Sequence, residues 1–181
     1  MLRLLFVLIL FTITCPAFTQ KTTNELTIGI EQDILPYATG GYFAEVWAGK
    51  NHIRSRALIA RVHKPNFIVK EGFTNNNVTA YALLGDYFLN KNWKGLWAGA
   101  GLVLWKSSIQ TDKKIETSYY NTWLLNGSIG YNFTVYKNLY LSPWAGMHVR
   151  IAGDDKIRVD DKTFSPPLLN PEASVKLGIF L

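Results

Sequence analysis

The segment from Tyr140 to Ile151, YLSPWAGMHVRI, separates into two faces when every second residue is read. One face has no hydrogen-bonding side chain and consists of Leu141, Pro143, Ala145, Met147, Val149 and Ile151. The other face carries all the polarity and consists of Tyr140, Ser142, Trp144, Gly146, His148 and Arg150. A period of two is that of a β-strand. The apolar face of a soluble sheet points into the core and that of a membrane barrel points to lipid, so its direction decides the class of protein.

The first 20 residues have the order of a secretory signal peptide. Arg3 supplies a positive charge, an uncharged run extends from Leu4 to Thr14, and a small residue lies shortly before Gln20. The apolar run is too short to anchor the chain in a bilayer as a helix. We therefore predict a cleaved signal peptide at residues 1–20 and one domain at residues 21–181. Cys15 leaves a lipoprotein signal as the alternative.

Charge and cysteine content exclude several kinds of site. Cys15 is the only cysteine, so the predicted mature chain has no disulfide and no thiolate metal site. The formal net charge of +6 is spread along the chain, and an exported protein gives little reason to expect nucleic acid as a partner. Four aspartates near the C-terminus lack the spacing of EF-hand calcium ligands, namely Asp154, Asp155, Asp160 and Asp161. We expect no metal and no cofactor.

Eight segments have the alternation and composition of β-strands. They are residues 25–34, 43–51, 54–63, 78–89, 95–106, 119–133, 138–151 and 170–181. Several reach ten residues, whereas globular strands have about five or six and a tilted membrane-crossing strand needs about nine to eleven. Short turns alternate strictly with long polar connections, as in a barrel with turns at one end and loops at the other. The predicted fold is all-β, an eight-stranded antiparallel up-and-down transmembrane β-barrel, with a local bulge expected at Pro143.

The polar faces of these strands combine acidic and basic residues in near balance. A filled barrel interior needs such a balance, because buried charges must be paired. The predicted lumen network consists of Glu31, Glu45, Arg61, Asp86, His148, Arg150, Glu172 and Lys176. The predicted lipid-facing residues of the last two strands are Leu141, Ala145, Met147, Val149, Val175, Leu177 and Ile179. Trp97 and Trp105 share one face, and their spacing fits the two aromatic girdles of a membrane barrel.

The segment from Gly130 to Gly146 and the end from Val175 to Leu181 carry a family resemblance. They resemble the small eight-stranded outer-membrane barrels of the OmpX and OmpA-transmembrane-domain type, an architectural similarity that covers residues 21–181. The last strand of that family ends in an aromatic residue that the outer-membrane assembly machinery reads, whereas here Phe180 lies one position early. Residues 17–20 look like the signal end of Bacteroidetes envelope proteins.

The resemblance implies a monomer in the outer membrane of a Gram-negative bacterium, with a structural or surface-interaction role. An eight-stranded barrel is too narrow for an open solute channel. The implied partners are outer-membrane lipid and lipopolysaccharide, the assembly machinery and an unknown extracellular ligand. Two alternatives stay open, namely a soluble periplasmic lipocalin-like barrel that binds an apolar ligand and a lipid A-modifying outer-membrane enzyme.

The three histidines, His52, His63 and His148, complete no known catalytic motif. The lipid A deacylases use a His-x-Ser pair, and none of the three histidines has serine two positions later. The palmitoyltransferases carry an amphipathic helix before the first strand, for which residues 21–25 are too few. His148 with Asp86 or Glu172 is a candidate acid–base pair inside the barrel. Because membership of an interior network explains His148 more simply, we predict no catalytic residue.

Overall fold

A computed structural model describes residues 25–181, so the predicted signal peptide lies outside the described residues. In chain order the strands are β1 (Thr27–Asp33), β2 (Tyr42–Lys50), β3 (Ile53–His63), β4 (Phe73–Phe88), β5 (Gly95–Thr111), β6 (Ser118–Tyr136), β7 (Leu139–Gly153), β8 (Ile157–Val159), β9 (Lys162–Phe164) and β10 (Leu169–Phe180). Strands β1 to β7 pair with their neighbours in chain order, and β10 closes the barrel between β7 and β1. All of these pairings are antiparallel, so the predicted eight-stranded barrel is confirmed.

The connections alternate in length as the sequence predicts. Asn51 and His52 join β2 to β3, residues 89–94 join β4 to β5, and residues 137–138 join β6 to β7. The connections at the other end are residues 34–41, 64–72, 112–117 and 154–168; they are longer except for residues 112–117, which equal residues 89–94 in length, and we call their side of the barrel the loop end and the opposite side the turn end.

Two short helices lie in the loops. Helix α1 (Ile34–Ala38) begins after Asp33, whose carboxylate caps it by accepting a hydrogen bond from the Leu35 N–H at 3.0 Å. A 3-10 helix, Asn66–Ile68, lies in the second loop. Between residues 25 and 181 there is no helix with the length and apolar character to cross a membrane.

The loop end contains more regular structure than the sequence predicts. Strand β4 begins five residues earlier than expected, and Asn75, with a φ of 51°, lies in a bulge of this early part of β4. The last loop contains the hairpin of β8 and β9. An apolar cluster joins this hairpin to the extended ends of β4, β5 and β6, and consists of Phe73, Ile109, Tyr120, Ile157, Val159 and Phe164.

The opening segment lies with its apolar face outward. Tyr140, Ser142 and His148 are buried, whereas Ala145 and Met147 are exposed. The β7–β10 register passes through Pro143 without the expected bulge, because Val175 pairs with it directly. The irregularities of the β6–β7 pairing lie elsewhere, between Trp123 and Leu124 and between Thr134 and Tyr136 of β6.

Candidate functional site

Six charged side chains of balanced sign meet inside the barrel. The acids are Glu31, Glu45 and Asp86, the bases are Arg54, Arg56 and Lys176, and we call this set the interior ion cluster. Each of the six residues is at most 3% exposed. Because three negative charges face three positive charges, the cluster is neutral as a whole, which is the condition for burying ions in a barrel.

The two arginines of β3 hold the cluster together. Arg54 Nη1 donates to Glu31 Oε1 at 2.5 Å and Arg54 Nε donates to Asp86 Oδ2 at 2.7 Å. Arg56 Nη2 donates to Asp86 Oδ1 at 2.8 Å, and its Nη1 lies 3.4 Å from Glu45 Oε2. Asp86 therefore bridges both guanidinium groups, and the planar fork of each arginine fixes the positions of two carboxylates.

Lys176 neutralises two carboxylates that face each other directly. Glu31 of β1 and Glu45 of β2 are register partners, so both side chains point inward at the same level. Lys176 Nζ lies 3.2 Å from Glu31 Oε2 and 2.8 Å from Glu45 Oε2. Without this ammonium the two carboxylates would repel each other inside the barrel.

An aromatic layer lies next to the ion cluster and consists of Trp47, Phe88, Trp93, Trp97 and Tyr140. The Arg54 guanidinium carbon is 5.4 Å from the ring centroid of Trp47, 5.0 Å from that of Phe88 and 5.4 Å from that of Trp97. These are cation–π distances. Tyr140 joins the two layers, because its hydroxyl donates to Glu31 Oε1 at 2.7 Å and accepts from Trp47 Nε1 at 2.9 Å.

Inward glycines make room for the aromatic layer. Gly29 pairs with Trp47, Gly130 with Trp97 and Gly178 with Tyr140 across neighbouring strands. In each pair the aromatic ring occupies the space where a β-carbon of the glycine would stand. Large rings therefore lie flat against glycine backbone, and the bore is filled at this level.

The structure brings together four of the eight predicted network residues, Glu31, Glu45, Asp86 and Lys176, in the ion cluster. His148 and Glu172 form a separate pair nearer the loop end. Arg150 is half-buried, and its Nη1 donates to the Asp154 carbonyl at 3.2 Å. Arg61 lies instead on the outer face of β3 and is exposed.

The placement of Arg61 follows from the direction of β3. The predicted inward position of Arg61 puts Leu58, Ala60 and Val62 on the outer face, but in the structure they share the inward face with Arg54 and Arg56. Neither of these arginines was expected in the network. A signal for them existed, because Arg54 and Arg56 share one face of a membrane-length strand, and two arginines facing lipid cost more than Arg61 alone near the strand end.

The pair of His148 and Glu172 is hydrogen-bonded to Asn126 and not to a nucleophile in the described residues. His148 Nε2 lies 2.9 Å from Glu172 Oε2, and His148 Nδ1 lies 3.4 Å from Asn126 Nδ2. Both ring nitrogens are therefore engaged. Within residues 25–181 no serine, threonine or cysteine is hydrogen-bonded to this histidine, so an activated nucleophile is missing there.

A cavity of about 90 Å³ lies between the ion cluster and the loop end. One wall is apolar and is formed by residues such as Leu58, Ala82 and Val103, and the opposite wall includes Asn126 and Ser128. Asn126 Oδ1 and Ser128 Oγ are buried without a hydrogen-bond partner among the described side chains. A cavity of this size has room for water molecules, which would satisfy both atoms.

Three of the four aspartates of the last loop, Asp154, Asp160 and Asp161, each have a partner of their own. Asp160 accepts from the Thr111 hydroxyl, and Asp154 accepts from the Asn121 N–H at 2.8 Å. Asp161 accepts from Lys113 Nζ at 2.9 Å, and this hydrogen bond lowers the pKa of the Asp161 carboxyl. Among residues 25–181 no group of three or more potential ligands converges to hold a metal ion.

The outer face of the barrel carries a continuous apolar band. On β6 it extends from Trp123 to Phe133 through Leu125, Ile129 and Tyr131, all of them exposed. These ten residue steps correspond to a height of about 26 Å at about 3.4 Å per residue and a tilt of about 40°. The predicted lipid-facing residues all lie on this face, with Ala145, Met147 and Leu177 exposed and Leu141, Val149, Val175 and Ile179 partly exposed.

Trp97 and Trp105 do not form the aromatic girdles expected from the sequence. Both point into the barrel and are 1% and 7% exposed. Exposed aromatic residues border the band instead, with Tyr81 and Trp123 on its loop side and Tyr87, Tyr131 and Phe133 on its turn side. The sequence places Trp97 and Trp105 on the same face of β5 but does not show which face points inward. In the structure this face, which also carries Gly99 and Gly101, is the inward one.

The chain was compared with family models, curated proteins and solved structures. No family model matches the chain, and no curated protein matches it. Among solved structures, Neisserial surface protein A is similar, with 12% sequence identity and a TM-score of 0.48 over 85% of this chain and 93% of that one. The barrel is established by the strand pairing described above.

Proposed function

We propose that this chain is a monomeric outer-membrane β-barrel with a structural or surface-interaction role and no open solute channel. The observation that carries the proposal is the inverted polarity of the barrel, with a neutral ion cluster inside and an apolar band outside. A soluble lipocalin-like barrel has the opposite arrangement. The band height of about 26 Å matches the apolar belt of about 25 Å found on bacterial outer-membrane barrels.

The filled interior supports the absence of a channel. The aromatic layer and the ion cluster lie across the bore, and Arg54 and Tyr140 tie them together at 1% exposure each. A solute would have to break the contacts of Arg54 with Glu31 and Asp86 before it could pass. The lipid A-modifying alternative is less well supported, because among residues 25–181 the partners of His148 are Asn126 and Glu172 and no nucleophile is hydrogen-bonded to it.

The loop end supports a surface role. The hairpin of β8 and β9 is held by buried residues such as Val159 and Phe164 against the extended strands. The loops above the apolar band therefore form a folded platform for an extracellular ligand. On this proposal the chain is exported by a signal peptide at residues 1–20, inserted by the outer-membrane assembly machinery and surrounded by lipid and lipopolysaccharide. Residues 17–20, at the end of the predicted signal peptide, suggest a Bacteroidetes envelope protein.

The protein is expected to fractionate with the outer membrane and to migrate faster in detergent gels before heating than after it. A closed strand-paired barrel in detergent resists unfolding until it is heated, which is the physical reason for the mobility shift. Partition into the aqueous phase without detergent, together with a mobility independent of heating, would contradict the membrane location.

In planar lipid bilayers the purified protein is expected to give no steady ohmic current. The buried contacts between the ion cluster and the aromatic layer leave no continuous water path for ions. The measurement is single-channel recording at moderate voltage, with a large open porin as the positive control. A reproducible conductance step would refute the sealed bore while leaving the membrane location intact.

A further inference from the structure

Arg61 and Lys106 form a basic row on the outer face, at the loop-side border of the apolar band. Arg61 pairs with Thr79, and Thr79 pairs with Lys106, so the three residues lie side by side on β3, β4 and β5. Neighbouring strands are about 4.8 Å apart, which places the Cα atoms of Arg61 and Lys106 about 10 Å apart with the threonine between them. Both long side chains can reach the space above Thr79.

Neither cation of this basic row has an ion-pair partner within the described part of the chain, and the acid next to the row, Asp154, accepts from the Asn121 N–H. The positions that flank the row are Tyr42 and Asn121, so no acidic residue shares the row across β2 to β6. Neither Arg61 nor Lys106 makes an ion pair with any residue from 25 to 181, and the Thr79 hydroxyl has no hydrogen-bond partner there. The Lys106 Nζ lies 5.8 Å from the ring centroid of Tyr81, which directs it toward the apolar band.

A shallow apolar groove, largely open to the surroundings, lies directly below the basic row. Small residues such as Ala57, Gly85 and Ala100 leave a depression in the outer face of β3, β4 and β5. Larger side chains border it, including Leu83 and Trp123. The row beneath Arg61, Thr79 and Lys106 consists of Ile59, Tyr81 and Leu104, so the groove and the basic row are continuous.

We propose that this surface binds one phosphate-bearing lipid from the leaflet at the loop end. The lipid phosphate lies between Arg61 and Lys106 and accepts a hydrogen bond from the Thr79 hydroxyl. One acyl chain fills the groove along Leu83 and Trp123. Charge complementarity selects this occupant, because two unpaired cations flanking a hydroxyl match a phosphate and the groove below matches a hydrocarbon chain. The inference rests on the proposed membrane location.

The test is native mass spectrometry of the barrel in detergent with dioleoyl phosphatidic acid, dioleoylglycerol or inorganic phosphate as the probe. The two lipids have the same chains and differ in the phosphate. We expect one phosphatidic acid to be retained per barrel, with little retention of dioleoylglycerol. The double variant Arg61→Leu/Lys106→Leu should weaken phosphatidic acid binding by about tenfold or more. The control double variant Lys156→Leu/Arg158→Leu, with the same charge change in the last loop, should bind it like the parent chain.

A third variant, Ala100→Phe, fills the groove from the exposed outer face and should also weaken binding of phosphatidic acid. Equal retention by the parent chain and the Arg61→Leu/Lys106→Leu variant would overturn the lipid site. Complete displacement of the lipid by inorganic phosphate would overturn it as well, since the groove would then contribute nothing. Heat-dependent mobility of every variant separates these results from a failure of the proposed membrane location, which would abolish the mobility shift in the parent chain too.

Discussion

Replacement of Arg54 by leucine is expected to lower the free energy of unfolding by about 3–5 kcal/mol, because it leaves buried carboxylates without their positive partner. Arg54 is paired with Glu31 and with Asp86, and its guanidinium lies among the rings of the aromatic layer. Leucine fills part of the volume but supplies neither the charge nor the hydrogen bonds. The measurement is urea unfolding of the barrel in phosphatidylcholine vesicles, followed by tryptophan fluorescence.

Arg61→Leu is the matched control for Arg54→Leu, because both change one arginine of β3 and they differ in the face on which it lies. Arg61 is exposed, so its removal should change the free energy of unfolding by no more than about 0.5 kcal/mol. Equal losses in the two variants would contradict the inward assignment of Arg54. Where Arg54→Leu fails to fold, the double variant Arg54→Leu/Glu31→Gln restores neutrality and should recover part of the loss.

The fold was predictable because each of its signals is local. The alternation in YLSPWAGMHVRI fixes a strand and two faces, and the strict alternation of short and long connections fixes an even number of antiparallel strands. The polarity of the faces followed from the charges that Glu31, Glu45, Asp86 and Lys176 place on one side of their strands. Three acids and a lysine on the polar faces of four strands cannot all face lipid.

The errors arose where the two faces of a strand are equally apolar. In β3 the inward Leu58, Ala60 and Val62 form part of the apolar wall of the lumen cavity, so hydrophobicity alone gave the wrong direction. In β5 the inward Trp97 and Trp105 are as apolar as the outward leucines. Only the register with neighbouring strands decides such cases, since a shift of one residue moves every side chain to the other face.

The interior ion cluster could be predicted only in part, because its contacts connect strands far apart in the chain. Lys176 of β10 meets Glu45 of β2 across 131 residues. Charge balance predicts that basic partners exist for the acids, but the choice between Arg54 and Arg61 depends on the barrel register. The Asn75 bulge was missed for a different reason, since an asparagine with positive φ has the same local signal in a turn and in a bulge.

Gly178→Val is expected to destabilise the barrel by about 3 kcal/mol or more, because the new side chain meets the ring of Tyr140. Gly178 of β10 pairs with Tyr140 of β7, and the ring lies over the glycine where a β-carbon would stand. Displacement of the ring breaks the hydrogen bonds of its hydroxyl with Glu31 and Trp47. The aromatic layer and the ion cluster would then lose their direct connection.

Gly127→Val separates this steric effect from the general preference of strands for valine. Gly127 lies on the outer face of β6, and a β-carbon there has no atom within 4 Å. Since valine favours strands, Gly127→Val should be neutral or stabilise the barrel by up to about 1 kcal/mol. Urea unfolding of both variants in the same vesicles gives the comparison. The inward packing of Tyr140 is refuted if Gly178→Val is as stable as Gly127→Val, and it gains support if Tyr140→Leu restores part of the stability lost in Gly178→Val. A loss of stability in Gly178→Val that is absent in Gly127→Val would show that the interior of this barrel is packed as tightly as a soluble core. It would also show that its outer face tolerates larger side chains.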